Sequence, residues 1–128
     1  MNADDLLGEA QGYSLLITDA QRADNPIVFA NDAFLRLTGY RQEEVIGRNC
    51  RFLQGPGTDP ETVRAIGEAI RRGEWIEVDL LNYTKHASPF WNRLRIRPLL
   101  DDDGEVANYL GLQIPIEPPD SARAGGLA

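Results

Sequence analysis

Two periods divide this chain. From Glu74 to Ile116 apolar and polar residues alternate through WIEVDLLNYT, SPFWNRLRIRPLL and VANYLGLQIPI, and a period of two belongs to β-strands with one covered face. The linkers KHA and DDDGE are short and turn-forming, so the three strands are expected to be antiparallel neighbours. Between Asn31 and Arg72 apolar residues instead recur at helical spacing. Asn31 opens a short helix through NDAFLRLTG that stops at Gly39, and RQEEVIG gives another. Residues 58–72 give the clearest, with Thr58 or Asp59 as cap, Pro60 in the first turn and Gly73 beyond the end. Its Val63, Ile66 and Ile70 share a face that should be buried. Nearer the start, SLLITDA and PIVFA flank a turn-rich loop, Asp19 to Pro26, and read as a hairpin. ADDLLGEAQ is a candidate N-terminal helix, and residues 117–128, EPPDSARAGGLA, lack an apolar period and read as a disordered tail.

Side-chain parity carries the most information. On one face of the three long strands lie Ile76, Val78, Leu80 and Asn82, then Phe90, Asn92, Leu94 and Ile96, then Tyr109, Gly111 and Gln113. Three carboxamides, Asn82, Asn92 and Gln113, thus point at one covered space, and Gly111 leaves room for something to approach. A buried amide without a partner costs roughly 1–3 kcal/mol. The three either bond to one another, to backbone or to buried water, or meet the donor and acceptor edge of a planar imide-bearing ring. The opposite face carries Trp75, Leu81, Tyr83, Trp91, Leu110, Leu112 and Ile114, an unusual amount of apolar surface to leave in water.

Composition bounds the partners. A chain of 128 residues suits one domain, and its net charge of −7 opposes binding to nucleic acid or an anionic membrane. No apolar run approaches the ~20 residues of a membrane span, and the acidic start MNADDLLGEAQ lacks the features of an export signal. A cytoplasmic setting is expected. Cys50 is the only cysteine, which excludes an intramolecular disulfide and leaves packing or reactivity. His86, the only histidine, falls in the KHA turn, too far away to serve Cys50 as a base, so an enzyme built on this thiol ranks last. Asp101 to Asp103 read as a solvated turn without calcium-loop spacing, and no metal is expected.

GRNCRFLQGPGTD (residues 47–59), NYTKHASPFWN, YLGLQ and DNPIVFANDAFLRLTGY together resemble the light-oxygen-voltage (LOV) domains of the PAS superfamily. The resemblance covers residues 14–116, leaving 1–13 as an extension or cap. It implies an α+β fold, a five-stranded antiparallel sheet with short helices covering one face, and a noncovalently held flavin mononucleotide (FMN). Blue light would drive a reversible bond between the flavin and Cys50. Asn49 and Gln54 would lie beside the flavin, Arg51 at its phosphate, and Asn82 and Asn92 at its pyrimidine edge. Gln113 would contact the ring and relay the signal by turning its amide. Thr18, Asn25, Leu53, Val63, Ile66, Leu94, Ile96 and Gly111 would line the pocket.

Two departures modify this expectation. Gly67 stands where many members carry a second phosphate-binding arginine; Arg64, one turn earlier, is the candidate to reach over, and riboflavin is expected beside FMN. Ala87 stands in a turn where the family often has glycine. With no output domain expected in this chain, it is expected to be a short LOV protein or an excised domain that signals by homodimerising through its outer sheet face. The competing reading is a PAS-type interaction module without a photoactive flavin.

Overall fold

The computed structural model describes residues 13–120. The candidate N-terminal helix and the tail beyond residue 120 lie outside them. Strands β1 (Ser14–Asp19), β2 (Ile27–Ala30), β3 (Ile76–Tyr83), β4 (Pro89–Leu100) and β5 (Val106–Ile116) form one antiparallel sheet in the order β2-β1-β5-β4-β3. Helices α1 (Asp32–Thr38), α2 (Gln42–Val45) and α3 (Pro60–Arg72), with a 3₁₀ turn η1 (Cys50–Leu53), fill the connection between β2 and β3. The fold is therefore α+β, with the first strand paired beside the last.

Local chemistry sets the boundaries. Asn31 caps α1 by accepting from the Phe34 N–H, and the same oxygen accepts from Leu15 N–H of β1, so one side chain starts the helix and fastens it to the sheet. Gly39 and Gly73 end α1 and α3 in the left-handed conformation. Asp59, rather than Thr58, caps α3. Thr58 instead donates to the Leu81 carbonyl at 2.6 Å. Two prolines sit inside long strands, Pro98 and Pro115, and each lies where one neighbouring strand has already ended, so no ladder N–H is missed there.

The core lies between the helices and the left half of the sheet. Leu16, Ile27, Ala30, Phe34, Val45 and Leu53 form it. The α3 face of Val63, Ile66 and Ile70 departs from expectation: it is only half-buried, because it faces a cavity instead of packing onto β4 and β5. The glycine-rich turn after η1 also acquires a reason. A Cβ on Gly55 would stand 2.4 Å from the Tyr83 ring, and one on Gly57 would stand 2.7 Å from Leu81 and 2.8 Å from the Tyr83 hydroxyl. Only glycine lets this turn lie on β3, where Gly57 N–H donates to that hydroxyl at 2.8 Å.

The outer sheet face is thus less apolar than parity suggested. Leu81 and Tyr83 are covered by the glycine turn, Leu110 is buried in a second cluster with Leu15, and cross-strand pairs Arg93–Asp79 and Arg95–Glu77 make the β3–β4 edge charged. Trp75, at 72% exposure, is the most exposed aromatic among the described residues. In the β3–β4 turn Ala87 takes a φ of 65°, the left-handed geometry for which glycine is the usual residue. Its neighbour Lys85 bonds both oxygens of Glu44 and, with the Arg41 N–H, holds that carboxyl down at about 2.

Candidate functional site

Between the sheet and α3 lies a cavity of about 600 Å³, within the usual size of a small-molecule site. The alternation of β3, β4 and β5 builds its floor. Leu80 and Asn82, then Asn92, Leu94 and Ile96, then Tyr109, Gly111 and Gln113 line it, joined by Leu16 and Thr18 of β1. Val63, Ile66 and Ile70 of α3 form the opposing apolar wall, and Asn25, Asn49, Cys50, Arg51, Leu53 and Gln54 close one side. The α3 wall is apolar, and the floor sets apolar side chains around the amides of Asn82, Asn92 and Gln113.

Polar groups converge on it in an ordered chain. Asn92, 1% exposed, donates from Nδ2 to Asn82 Oδ1 at 2.9 Å, while its own Oδ1 accepts from Ile114 N–H at 3.1 Å. Asn82 donates in turn to the Leu53 carbonyl at 3.2 Å. The amide network therefore reaches η1, which carries Cys50. Gln113 is oriented by Ser14, whose hydroxyl donates to Oε1 at 2.6 Å, and its Nε2 end lies over Gly111, 3.4 Å from where a Cβ would stand. A side chain at residue 111 would also press on Leu16 at 3.3 Å. Ser14 was not legible as a site residue, although it shares the parity of Leu16 and Thr18 on β1.

Cys50 opens η1, with Asn49 as cap accepting from Arg51 N–H at 2.9 Å. Asn49 also donates to the Asp24 carbonyl at 2.8 Å, so the β1–β2 loop holds the cysteine turn. Cys50 is half-buried by exposed area, its open side being the cavity. Burial pushes the thiol above its ordinary 9.0, with Arg51 pulling weakly the other way. Arg51 is clasped by Asp24 through both oxygens, at 2.6 and 2.8 Å, and this hydrogen bonding draws the Asp24 carboxyl below its ordinary range. Asp24 and Asn25 both take positive φ, 66° and 48°, so the loop that aims them is strained.

Two buried oxygens, Thr18 Oγ1 and Asn25 Oδ1, have no hydrogen-bond partner among the described residues. Both residues line the cavity, and buried polar atoms are normally satisfied. With the Gln113 amide and the apolar side chains of α3 and the sheet, they form the donor and acceptor set that a polar-edged ring with a hydroxylated chain requires. A flavin fits these residues.

Arg64 is the exception among the expected site residues: it is exposed and does not line the cavity. Helical side chains lean toward the helix N-terminus, so Arg64 points away from Gly67, whereas Arg71, one turn later, leans back over it. Arg71 and Gly67 both line the cavity, as does Arg22 of the β1–β2 loop. His86 sits exposed in the β3–β4 turn. Among the described residues no cluster with metal-ligating composition occurs, and no helix is long and apolar enough to cross a membrane.

The PAS domain family profile matches residues 13–114. A blue-light-activated histidine kinase of Brucella anthropi is 50% identical over 102 residues, which are 80% of this chain and 21% of that protein. Phototropin-2 of Oryza sativa subsp. japonica is 52% identical over 101 residues, 79% of this chain and 11% of that protein. This chain thus spans a small part of either. Among solved structures, the dark-state LOV domain of Aureochrome1 superposes with a TM-score of 0.87 at 41% identity, covering 97% of this chain and 89% of that one. The LOV domain of the Erythrobacter litoralis blue-light activated histidine kinase gives 0.79 at 40% identity, covering 83% and 97%. Identity of this extent, over the strands and turns that build the cavity, shows that the chain belongs to the PAS domain family and, within it, is a light-oxygen-voltage domain.

Proposed function

We propose that this chain is a blue-light sensor that holds FMN in the cavity and forms a reversible covalent bond to it through Cys50. The observation that carries this reading is the position of the only thiol, on the wall of a cavity whose floor holds three buried amides. A bound flavin supplies a ring that absorbs blue light and, once excited, accepts a thiol. The residues of the chain do the rest. Asn49 and η1 keep Cys50 in one place, which replaces a search by a fixed approach. Thr18 and Asn25 offer oxygens to the ligand's hydroxyls, and Asn82 and Asn92 present the edge of their network to its ring.

Gln113 is the relay. Its amide has a donor end over Gly111 and an acceptor end held by Ser14, and reversing the two ends turns Ser14 from donor into acceptor. The signal then enters the pairing of β1 with β5, where Ser14 faces Gln113. In this reading the chain senses and does not turn over a substrate. Within longer relatives the same domain would drive a kinase; here we infer association through the outer face around Trp75, Trp91, Leu112 and Ile114. Multi-angle light scattering should show a dimer whose population changes on illumination, and a monomer in both states would sink that part of the reading.

The visible spectrum tests the function as a whole. Purified protein should be yellow, bleach under blue light and recover in darkness; a colourless protein, or a band that light leaves unchanged, favours the interaction-module reading. Because burial raises the Cys50 pKa above 9.0, the sulfur is protonated at neutrality and carries its proton into the photoreaction. Bleaching per absorbed photon should therefore be flat from about pH 6 to 8. A yield that climbs through this range would show a reactive thiolate instead.

A further inference from the structure

We propose that Arg71, folded back over Gly67, is the residue by which this cavity distinguishes a phosphorylated flavin from its dephosphorylated form. The inference rests on the flavin reading and adds a specificity determinant to it. A Cβ placed on Gly67 would stand 3.4 Å from Arg71 Nη1, so the guanidinium lies directly against the residue 67 position, where a longer side chain would meet it. The missing side chain and the returning arginine form one arrangement. The cation is delivered to the α3 wall from four residues further along the helix.

The backbone beneath Arg71 is fixed. The Tyr109 hydroxyl donates to the Ile70 carbonyl at 2.6 Å, tying the last turn of α3 to β5, and Gly73 closes that turn. The guanidinium itself is only lightly engaged. Its one ion pair, from Nη2 to Glu68 at 3.1 Å, lies between side chains that are 64% and 49% exposed, and such surface pairs are weak. Arg51, by contrast, has two nitrogens committed to Asp24, and an arriving dianion must share it with a carboxylate. Arg71 is the cation on the α3 wall that can turn to a phosphate without breaking a bidentate pair, and its planar fork suits one.

The test uses the full chain freed of flavin, with FMN and riboflavin titrated separately and binding read by quenching of flavin fluorescence. Arg71→Gln should weaken FMN by about tenfold, the size of one lost charge-assisted hydrogen bond, without a comparable loss for riboflavin. Arg71→Lys should retain part of the preference, and Arg72→Gln, which removes the same charge from the same helix end, should retain all of it. Added salt should narrow the FMN advantage of the parent protein and leave Arg71→Gln little affected. Equal loss of both flavins in Arg71→Gln, an unchanged ratio, or an equal loss of preference in Arg72→Gln would each overturn the assignment. A parent protein that binds neither flavin overturns the flavin reading itself, a result distinct from any of these.

Discussion

Cys50→Ala should remove the reversible bleaching completely while leaving the protein yellow. The substitution deletes the only sulfur nucleophile in the chain, and no other side chain on the cavity wall can replace it. The rivals are carboxamides, hydroxyls, arginines and the Asp24 carboxylate, whose two oxygens are held by Arg51; none adds to a carbon centre as a thiol does. The fold should tolerate the change. Cys50 is half-buried against the Phe34 and Val45 core, and its sulfur makes none of the hydrogen bonds that hold η1, which run instead through Asn49 to Arg51 and Asp24. Loss of packing should cost no more than about 1 kcal/mol, visible as a small shift in thermal midpoint. Flavin content after purification and the light-minus-dark spectrum separate the cases. A yellow, light-insensitive variant establishes the thiol as the reacting group, whereas bleaching that survives shows that the parent signal is ordinary photoreduction.

The long strands account for how much of the site was legible. Alternation over eleven residues in β5 and twelve in β4 leaves little freedom in parity, so Asn82, Asn92 and Gln113 could be placed on one face from the sequence. What escaped depends on pairings or directions that a sequence pattern does not encode. Ser14 reaches Gln113 across 99 positions, and nothing local to SLLITDA says that β1 lies beside β5. The face of α3 showed its apolar stripe, but the same stripe serves a packed core and a cavity wall; only the width of the gap to the sheet decides. Arg64, three residues before Gly67, was the expected cation; Arg71 lies four residues after it, and the tilt of helical side chains toward the N-terminus favours Arg71. The outer face was overstated because Glu77, Asp79, Arg93 and Arg95 alternate with its apolar residues, and because the glycine turn that covers Leu81 and Tyr83 lies some two dozen residues away in the sequence.

Asn92→Ala is the substitution expected to cost most in both stability and flavin retention. Asn92 lies on β4, between β3 and β5, with a neighbour served on each side: Asn82 on β3 through Nδ2, Ile114 on β5 through Oδ1. Alanine leaves the Asn82 oxygen and the Ile114 N–H without their side-chain partner, and each such orphan costs about 1–3 kcal/mol. The combined loss of about 2–6 kcal/mol is a large share of the stability of a single domain, readable from urea unfolding. Aspartate is no remedy. It can still accept from Ile114, but it sets an oxygen against Asn82 Oδ1, and Asn82 can turn its amide to meet it only by facing an oxygen to the Leu53 carbonyl that it now serves as donor. The coupling to η1 makes a further outcome specific. If the amides act as one chain from Ile114 to Leu53, the double variant Asn82→Ala with Asn92→Ala should lose less than the sum of the single losses. It should also slow bleaching per bound flavin, because the turn bearing Cys50 loses its amide tie to β3. Additive losses, or an Asn92→Ala variant within about 0.5 kcal/mol of the parent, would show that the amides serve the ligand separately and that the sheet does not hold the cysteine through them.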